Sequence, residues 1–555
     1  MKIERKLILY RSSQHQPPLK TNSKYGLIPH QIKFIAESQS RKCQERMTKT
    51  LGKKHIQAVT FIPPFQSEIG KRDIFCLLKL ASFKTMNIEY SSMSDHTLKK
   101  FTHRIFSRYK HIQNFSTTST GSSPVAGYFK LVQRLPRAQK LSFSQTTITS
   151  PEILDKLSTF FSTAYKRRIW PKLKALVFHF TLKFGWPFTQ NRISSLNNLL
   201  QALKNPQFCP DPQIKLELSP FFGAPVHKSN CGFSDILVNS ELISSLEVFF
   251  LKKFVNYYEN LLQPLRTTDL QHIFLINMDP THLQGVPLVP ASVAKLKSLT
   301  SLELRVEKMQ SEDCLIKTFD IISQLLKIQT FSLTFRYISF DVASLKALSN
   351  LIANFKSLQN LSLWFMNVEL QNPEAKHQLC QFLRDLGSCT NLKDLRLDWT
   401  RFKYDEMINN NYSDYFFALC ESLQNFEELK RLKIGYSSLP INEDCVQKLS
   451  QVFSSTTKIQ ALDLSFGFDK EVPYKNLLHL IKSIGNSRNL SELALSLALG
   501  DIDVEFAETL EGLIKSLKNL NLVKINLRSR GILVRMNELE KMTKRLENSM
   551  DISIF

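Results

Sequence analysis

A stretch of the form LxxLxLxL returns every 24 to 40 residues from residue 56 to the end of this chain. The clearest copies begin at Leu299, Ile328, Leu358, Leu392, Leu429, Ile459, Leu490 and Leu522. Less regular copies precede them and begin at Ile56, Phe83, Ile112, Ala138, Leu173, Gln213, Leu246 and Leu270. The period of these 16 copies is too long for a coiled-coil heptad, so it predicts a repeat array.

Each copy combines the patterns of two kinds of secondary structure. Its fourth, sixth and eighth residues are apolar, which is the alternation of a strand with one buried face. Between copies a second pattern has the spacing of one helix face, as in Val342, Leu345, Leu348, Leu351, Ile352 and Phe355. Neither element can bury its apolar side alone. Neighbouring units must therefore stack, and a continuous core runs along the array.

The copies resemble leucine-rich repeats, and the long unit with a full helix is similar to the ribonuclease-inhibitor type of that family. The resemblance implies an α/β solenoid, a horseshoe with a parallel sheet on its concave side and helices on its convex side. The family also places Asn or Cys at the ninth residue, where the side chain ties successive turns together. No such polar ladder occurs in this chain.

In seven of the eight clear copies the eighth residue differs from the family pattern because it is apolar. These seven residues are Val306, Phe335, Phe365, Trp399, Tyr436, Phe466 and Leu497. This predicts a longer strand with three inward side chains in each copy. The aromatic rings at this place are predicted to belong to the core rather than to a ligand cage.

Charge divides the chain more sharply than composition does. Residues 1–184 hold 33 Lys and Arg against 9 Asp and Glu, a net charge of +24, whereas residues 185–555 hold 40 against 40.

We predict a basic N-terminal arm or cap at 1–55, a solenoid at 56–535 and a C-terminal cap at 536–555. Within the solenoid, 56–184 is basic and degenerate, and 185–535 is charge-neutral and regular. In the cap, residues 536–548 have helical character, and Ile552 and Ile554 can add a last strand.

The basic excess indicates an acidic partner for the N-terminal third, either nucleic acid, an anionic membrane surface or an acidic protein tail. The alternative is a solubilising surface. The densest basic run surrounds Trp170 and consists of Lys166, Arg167, Arg168, Lys172 and Lys174. Such a run suits a phosphate patch or a nuclear import signal, and equally the exposed lead-in to a repeat strand.

The remaining motifs argue against an enzyme. Gly is scarce, at 16 of 555 residues, and neither a dinucleotide fingerprint nor a phosphate loop occurs. The nine Cys are scattered without a CxxC pair, so neither a disulfide framework nor a zinc site is expected. No cofactor or metal is predicted, and no apolar window is long enough to span a membrane. An intracellular location is favoured, cytoplasmic before nuclear or organellar, with a transit peptide in residues 1–55 as an alternative.

Candidate binding residues lie at the third, fifth and seventh places of each copy, which point away from the core. Trp364 is a large aromatic at a seventh place and a natural anchor for a partner; its alternative is packing against Arg396 or a loop. Arg305 holds a seventh place nearby. Arg396, Asp398, Arg431 and Lys433 occupy adjacent copies and form either a charged patch beside Trp364 or a self-compensated ion-pair network.

The sequence therefore predicts a non-enzymatic scaffold that binds a protein on its concave face, with a basic N-terminal third that docks an acidic partner. The first alternative is a nucleic-acid-associated subunit of a ribonucleoprotein assembly, in which residues 1–184 contact phosphates. The second is an inhibitor or activator of a partner enzyme, which rests on analogy of fold alone. No particular partner and no oligomeric state follow from the sequence.

Overall fold

The computed structural model describes residues 6–8, 31–35, 58–62, 85–90, 112–119, 135–148 except 136, 151–183, 190–203, 211–219, 243–251, 270–278, 287–308 except 290 and 292, 312–400, 412–468 except 457, 474–499, 504–529 and 551–554. The chain divides into two compact units. The N-terminal unit comprises Met1–Phe249 with Thr267–Leu270, and the C-terminal unit comprises Phe250–Arg266 with Gln271–Phe555. The helix predicted over residues 536–548 lies outside the described residues.

The described part of the N-terminal unit is built on parallel strands that pair in chain order. They are β1 (Lys6–Ile8), β2 (Gln31–Ile35), β3 (Ala58–Ile62), β4 (Thr85–Tyr90), β5 (Asn114–Ser119), β6 (Lys140–Ile148), β7 (Ala175–Lys183), β8 (Asp211–Ser219) and β9 (Ile243–Leu251). Helix α1 (Pro151–Lys166) follows β6, and helix α2 (Gln190–Leu203) follows β7. Each therefore lies between two neighbouring parallel strands.

Parallel pairing starts earlier in the chain than the repeat pattern predicts. Strands β1 and β2 lie within residues 1–55, where the sequence suggested an arm or cap, and β2 pairs in register with β3. That register puts Glu4 and Pro29 at the first place of their copies, where a leucine is expected. Without that leucine the pattern cannot be recognised, although the alternation of Ile32 and Phe34 is present.

The C-terminal unit alternates strands and helices. Its strands are β10 (His272–Met278), β11 (Ser301–Glu307), β12 (Thr330–Arg336), β13 (Ser339–Phe340), β14 (Asn360–Met366), β15 (Glu369–Leu370), β16 (Asp394–Thr400), β17 (Arg431–Ile441), β18 (Ala461–Phe468), β19 (Glu492–Leu499), β20 (Leu522–Ser529) and β21 (Asp551–Ile554). Its helices are α3 (Glu312–Ile322), α4 (Val342–Asn354), α5 (Pro373–Asp385), α6 (Tyr412–Leu423), α7 (Glu443–Ser455), α8 (Tyr474–Ile484) and α9 (Val504–Ser516). Two short 3-10 turns, Val293–Lys295 and Leu386–Ser388, complete it.

All the strands of this unit except β13 and β15 form one parallel ladder in chain order, from β10 to β21. Strands β13 and β15 pair with each other. The alternation of strand and helix with parallel pairing confirms the predicted α/β architecture with a large parallel sheet. Ile552 and Ile554 lie in β21 and pair with Val523 and Ile525, as predicted for the last strand.

Side chains cap several of the helices at their first turn. Asp341 accepts a hydrogen bond from the Ser344 amide at 2.7 Å, and the Ser344 hydroxyl accepts one from the Asp341 amide at 3.1 Å, which closes a capping box on α4. Asn372 and Asn442 cap α5 and α7 with a single bond each, since their side chains accept from the amides of Ala375 and Cys445. The apolar residues predicted to line one face of α4 are buried, apart from the half-buried Val342.

The register of the ladder corrects the frame of three copies. Ser496 pairs with Asn526, so Asn526 takes the seventh place of the last copy and Arg528 the ninth, two places later than a start at Leu522 implies. The copy starts at Leu520, which is buried, whereas Leu522 is half-exposed. Two leucines separated by one residue each offered a start, but only the frame from Leu520 has an apolar eighth residue, Leu527 in place of Ser529. The copy placed at Gln213 starts four residues earlier, since Ala175 pairs with Asp211. The copy placed at Leu246 also starts earlier, because Leu246 pairs with Leu216, the eighth residue of the preceding copy.

The fourth, sixth and eighth residues form the core, as predicted. In β11 these are Leu302, Leu304 and Val306, each fully buried. At the eighth place the rings of successive copies lie against one another, with centroids 5.7, 5.4, 4.7 and 6.3 Å apart along Phe335, Phe365, Trp399, Tyr436 and Phe466. These rings are at most 3% exposed, which confirms that they belong to the core.

Main-chain hydrogen bonds join the copies where each strand begins. The carbonyl of the second residue in a copy accepts from the amides of the second and third residues of the next copy. Thus the Gln329 carbonyl accepts from Gln359 at 2.8 Å and from Asn360 at 2.9 Å. The same pair of bonds recurs at the carbonyls of Gln113, Gln139, Gln271, Thr300, Gln359, Lys393, Lys430, Gln460 and Ser491. These bonds do not depend on the side chain at the ninth place.

The two tryptophans of neighbouring copies test which face of the strands forms the core. Trp399 is 2% exposed and Trp364 is 40% exposed. We expect Trp399→Ala to lower the free energy of unfolding by about 3–5 kcal/mol because it opens a cavity in the ring stack. Trp364→Ala should change it by less than about 1 kcal/mol. Denaturant titration of both variants measures this, and equal losses would contradict the assignment of faces.

Candidate functional site

The open face of the C-terminal unit is the side of its sheet that carries the third, fifth and seventh residues of each copy. The opposite side packs on the helices, for example where Phe319 of α3 meets Phe335 and Phe416 of α6 meets Tyr436. The seventh residues align as Arg305, Thr334, Trp364, Asp398, Gly435, Ser465 and Ser496. The fifth residues align as Glu303, Ser332, Ser362, Arg396, Lys433, Asp463 and Ala494.

Trp364 is the large apolar side chain that stands out on the open face. Its strand neighbours in the row are Thr334 and Asp398, whose side chains are small enough to leave the indole 40% exposed. The sequence offered packing against Arg396 as an alternative. Among the described residues Trp364 makes no ring or cation–π contact with Arg396, because that guanidinium is held elsewhere.

Most charges on the open face are compensated by a neighbour. Arg396 donates to both carboxylate oxygens of Asp394 on the same strand, with Nε–Oδ1 and Nη2–Oδ2 distances of 3.0 Å. Asp394 is 8% exposed, so this is a partly buried, two-point ion pair. On the next two strands Lys433 lies 3.4 Å from the Asp463 carboxylate. Arg396 and Lys433 are two of the four residues of the predicted charged patch. Both are therefore paired on this face, as in the self-compensated network that was the alternative prediction.

Asp398 is different because its carboxylate has no ion-pair or hydrogen-bond partner among the described residues. Its Oδ1 atom is enclosed and unpartnered. Burial raises the pKa of Asp398, the nearby Lys433 lowers it, and Asp463 raises it further. A partly buried carboxylate without donors is costly, and an arriving cation or hydrogen-bond donor relieves that cost.

Gly435 makes the space that the Asp398 carboxylate occupies. The two residues face each other across β16 and β17. A Cβ atom at Gly435 would lie 3.0 Å from both Cγ and Oδ2 of Asp398. Glycine weakens the interior of a strand, so its presence here is explained by the close approach of this carboxylate. Trp364, Asp398 and Gly435 thus form one continuous row, called the Trp–Asp–Gly row below.

The other two predicted residues lie apart from this row. Arg305 is two strands from Trp364 and pairs with Glu307 at 2.7 Å, and Arg336 approaches the same carboxylate at 3.5 Å. Arg431 is exposed on β17, beside Asp394, and no ion pair engages its guanidinium among the described residues. Arg305 is therefore compensated, whereas Arg431 presents an uncompensated charge.

Sequence reasoning missed the residues that decide which charges remain free. Asp394 and Asp463 neutralise two of the predicted cations, and Gly435 admits the Asp398 carboxylate. A signal for Asp394 was present, since Asp394 and Arg396 alternate on one face of a strand. No sequence signal identified Gly435, because its contact depends on the register between two strands.

The five cations of the predicted basic patch in the N-terminal unit are all exposed. They are Lys166, Arg167, Arg168, Lys172 and Lys174, and among the described residues none of them forms an ion pair. Trp170 in their midst is 5% exposed, with its ring 5.8 Å from that of Phe160. Trp170 therefore packs into the core, while the five charged side chains around it extend into solvent.

The turn follows the end of helix α1. The Ile169 amide donates to the Ala164 carbonyl at 3.0 Å, and Arg168 between them has a φ angle of 47°. This is the arrangement of a Schellman cap, in which the left-handed position is usually glycine. Arginine is strained there, so its presence is not explained by helix termination alone. The cations also lie favourably for the helix dipole, which is a purely structural benefit.

Metal and thiol chemistry has little support in the described residues. No group of three or more His, Cys, Asp or Glu side chains in this part of the chain is placed to hold a metal ion. Cys314, Cys380, Cys389, Cys420 and Cys445 are free thiols. Burial raises the pKa of Cys380, Cys389 and Cys445 to about 11, which suppresses the reactive thiolate. None of the described helices is both long and apolar enough to cross a membrane.

Comparison with protein-family models gives no match for this chain, and comparison with the curated proteins gives none either. Among solved structures, the chain is similar to one in the crystal structure of the Rad7 and Elc1 complex in yeast, with a TM-score of 0.36 and 15% sequence identity. The similarity covers 69% of this chain and 81% of that chain.

We expect Asp398→Asn to raise the free energy of unfolding at neutral pH, by up to about 1 kcal/mol, because it removes an ionised group that burial disfavours. Since the folded state raises the pKa of Asp398, the cost is present above that pKa and disappears as the carboxylate is protonated. The gain in the free energy of unfolding of Asp398→Asn should therefore shrink as the pH falls toward about 4. Denaturant titrations at both pH values measure it. Asp463→Asn, which breaks an ion pair, should give no gain; a loss of stability in Asp398→Asn would contradict the assignment.

Proposed function

We propose that this chain is a leucine-rich repeat scaffold that binds a protein partner on the open face of its C-terminal unit, without catalysing a reaction. The Trp–Asp–Gly row carries this proposal. An exposed indole beside an unpartnered carboxylate is unusual on a face where Arg396 and Lys433 are compensated. Tryptophan is enriched among the residues that dominate the binding energy of protein interfaces, and a partly buried unpaired charge gains from a complementary group.

The proposed absence of catalysis rests on the sequence, which contains no recognisable combination of nucleophile, base and orienting group. An intracellular location, in the cytoplasm, belongs to the same proposal and rests on the scattered cysteines. The horseshoe shape belongs to it as well, since it follows from the family resemblance. In that shape the open face is the concave one.

Trp364→Ala tests the proposed site. The tagged full-length chain is purified from its own cells with its partners, beside Trp364→Ala and Lys346→Ala, the second being an exposed residue of helix α4. We expect a protein partner to be retained by the parent and by Lys346→Ala, and to be reduced about tenfold or more in Trp364→Ala, because a central aromatic contributes about 2 kcal/mol or more. Equal recovery of every partner would contradict the proposal.

A second function, docking of an acidic partner through the basic patch of the N-terminal unit, is favoured by the exposure of all five cations and by the strained Arg168. The ligand chemistry is a phosphate-rich polymer, as in the ribonucleoprotein alternative. Phosphates need no shaped pocket, because affinity comes mainly from counterion release. The patch supplies a compact group of cations for this purpose.

We expect the full-length chain to bind single-stranded RNA with a strong salt dependence. If all five cations contact phosphates, the slope is about −3.5, so affinity falls about 100-fold between about 50 and 200 mM salt. Substituting the five by Ser should flatten the slope accordingly, as measured by filter binding. A charge-matched control replaces exposed lysines of the C-terminal unit, namely Lys297, Lys327, Lys346, Lys356 and Lys482. If both variants lose the same affinity, the patch is only one part of a general basic surface.

A further inference from the structure

We propose that the Trp–Asp–Gly row receives an arginine side chain of the partner protein, and that Arg431 receives an acidic side chain four residues away on the same extended partner segment. The inference rests on the proposed scaffold function and specifies what the open face recognises. It follows from two charges in neighbouring copies of this face that have no ion-pair partner among the described residues, Asp398 and Arg431.

The first step concerns the sign of the ligand charge. Trp364 and Asp398 are register neighbours on adjacent strands, which lie about 4.8 Å apart. Lys433 does not neutralise the carboxylate by contact, because its ammonium group lies 3.4 Å from Asp463. A cation placed over the indole and beside the carboxylate gains a cation–π contact and donates a hydrogen bond to Oδ2 of Asp398, because Oδ1 is enclosed. An anion or an apolar group would leave Oδ2 without a donor.

The second step distinguishes arginine from lysine. A guanidinium can lie flat on an aromatic ring while one of its edge N–H groups donates to a carboxylate oxygen. Oδ1 of Asp398 is enclosed, so the donor must reach Oδ2. The carboxylate occupies the space over Gly435, since even a methyl group there would lie 3.0 Å from Oδ2 of Asp398. The exposed Trp364 ring lies on the other side of Asp398. A lysine ammonium fits the charge but cannot lie flat on the indole.

The third step gives the spacing of the second charge. Arg431 precedes Gly435 by four residues on β17, and Gly435 lies directly beside Asp398. At about 3.3 Å per residue the two charges are about 13 Å apart along the strands. In an extended segment, residues four apart face the same side and span the same distance. The segment that matches both charges therefore carries arginine and, four positions away, aspartate or glutamate.

The probe is a fluorescently labelled, capped peptide in which arginine and glutamate are separated by three small residues, and binding to the full-length chain is followed by anisotropy. Citrulline, which has the shape of arginine without its charge, should bind about tenfold or more weakly. Lysine in the same position should be intermediate. A peptide with arginine and glutamate adjacent should lose the contribution of one of the two charges.

Variants of the protein assign each charge to its residue. In Asp398→Asn the preference for arginine over citrulline should disappear, while the preference for glutamate over glutamine remains. In Arg431→Met the reverse should hold. Gly435→Ala should act like Asp398→Asn, because its Cβ displaces the carboxylate. Arg305→Met, a seventh-place cation two strands from Trp364, is the matched control and should change neither preference.

The inference is overturned if arginine and citrulline peptides bind equally, if neither binds at about millimolar concentration, or if Asp398→Asn keeps the full arginine preference. These outcomes differ from failure of the scaffold itself. If the cellular partner is lost in Trp364→Ala but kept in Asp398→Asn, the open face is a docking site and the arginine assignment is wrong. If no partner depends on Trp364, both fail.

Discussion

At ten junctions between described copies, one carbonyl accepts two main-chain hydrogen bonds at the point where the parallel strands begin to pair. In the C-terminal unit the Lys393 carbonyl accepts from Lys430 and Arg431 at 2.9 Å, and the Lys430 carbonyl accepts from Gln460 at 2.7 Å and Ala461 at 3.0 Å. Because the groups are main-chain, the residues at these places are free to vary. The bonds nevertheless set the first outward residue of every strand, and with it the alignment of all rows on the open face.

Tyr436 shows that burial of an aromatic ring can outweigh the loss of a hydrogen bond by its hydroxyl group. Among the described residues the Tyr436 hydroxyl has no hydrogen-bond partner, and burial raises the pKa of this side chain well above its ordinary value. An unsatisfied hydroxyl costs about 1–3 kcal/mol. Burying the ring removes about 200 Å² from water, worth about 5 kcal/mol, and stacking on Trp399 at 4.7 Å adds to it. Ring burial therefore outweighs the hydroxyl penalty, and the aromatic stack takes the place of a polar ladder.

Alternation along the strands allowed the sequence to predict which face each side chain occupies. It identified the buried eighth-place rings, and it placed Trp364, Arg396 and Asp398 together on the open face. It did not predict pairing, because Arg396 lies two residues from Asp394 on one side and from Asp398 on the other. Both carboxylates are equally near in sequence, and only the folded geometry shows that the guanidinium binds Asp394.

The first residue of a copy is harder to predict than the alternation of its inward and outward residues. A shift by two residues preserves every inward and outward assignment, and a leucine stands at both 520 and 522. Only the eighth residue separates the two frames, since it is Leu527 from Leu520 and Ser529 from Leu522. Lateral neighbours, however, depend on the frame. The contact between Asp398 and Gly435 joins copies whose starts are 37 residues apart, and it exists only in the register that the main-chain bonds impose. A site made of neighbours across strands is therefore less visible in a sequence than a core is.

Stability alone does not account for the Trp–Asp–Gly row. An unpartnered, partly buried carboxylate and a glycine inside a strand are both unfavourable, the glycine by about 0.5–1 kcal/mol relative to alanine. The same face satisfies the Asp394 and Asp463 carboxylates with cations from the same or a neighbouring strand, so the fold has the means to do so. Residues that break local rules without compensation in the free protein are typical of binding sites. The missing partner of Asp398 is then best supplied by the ligand, whose binding energy includes the relief of this cost.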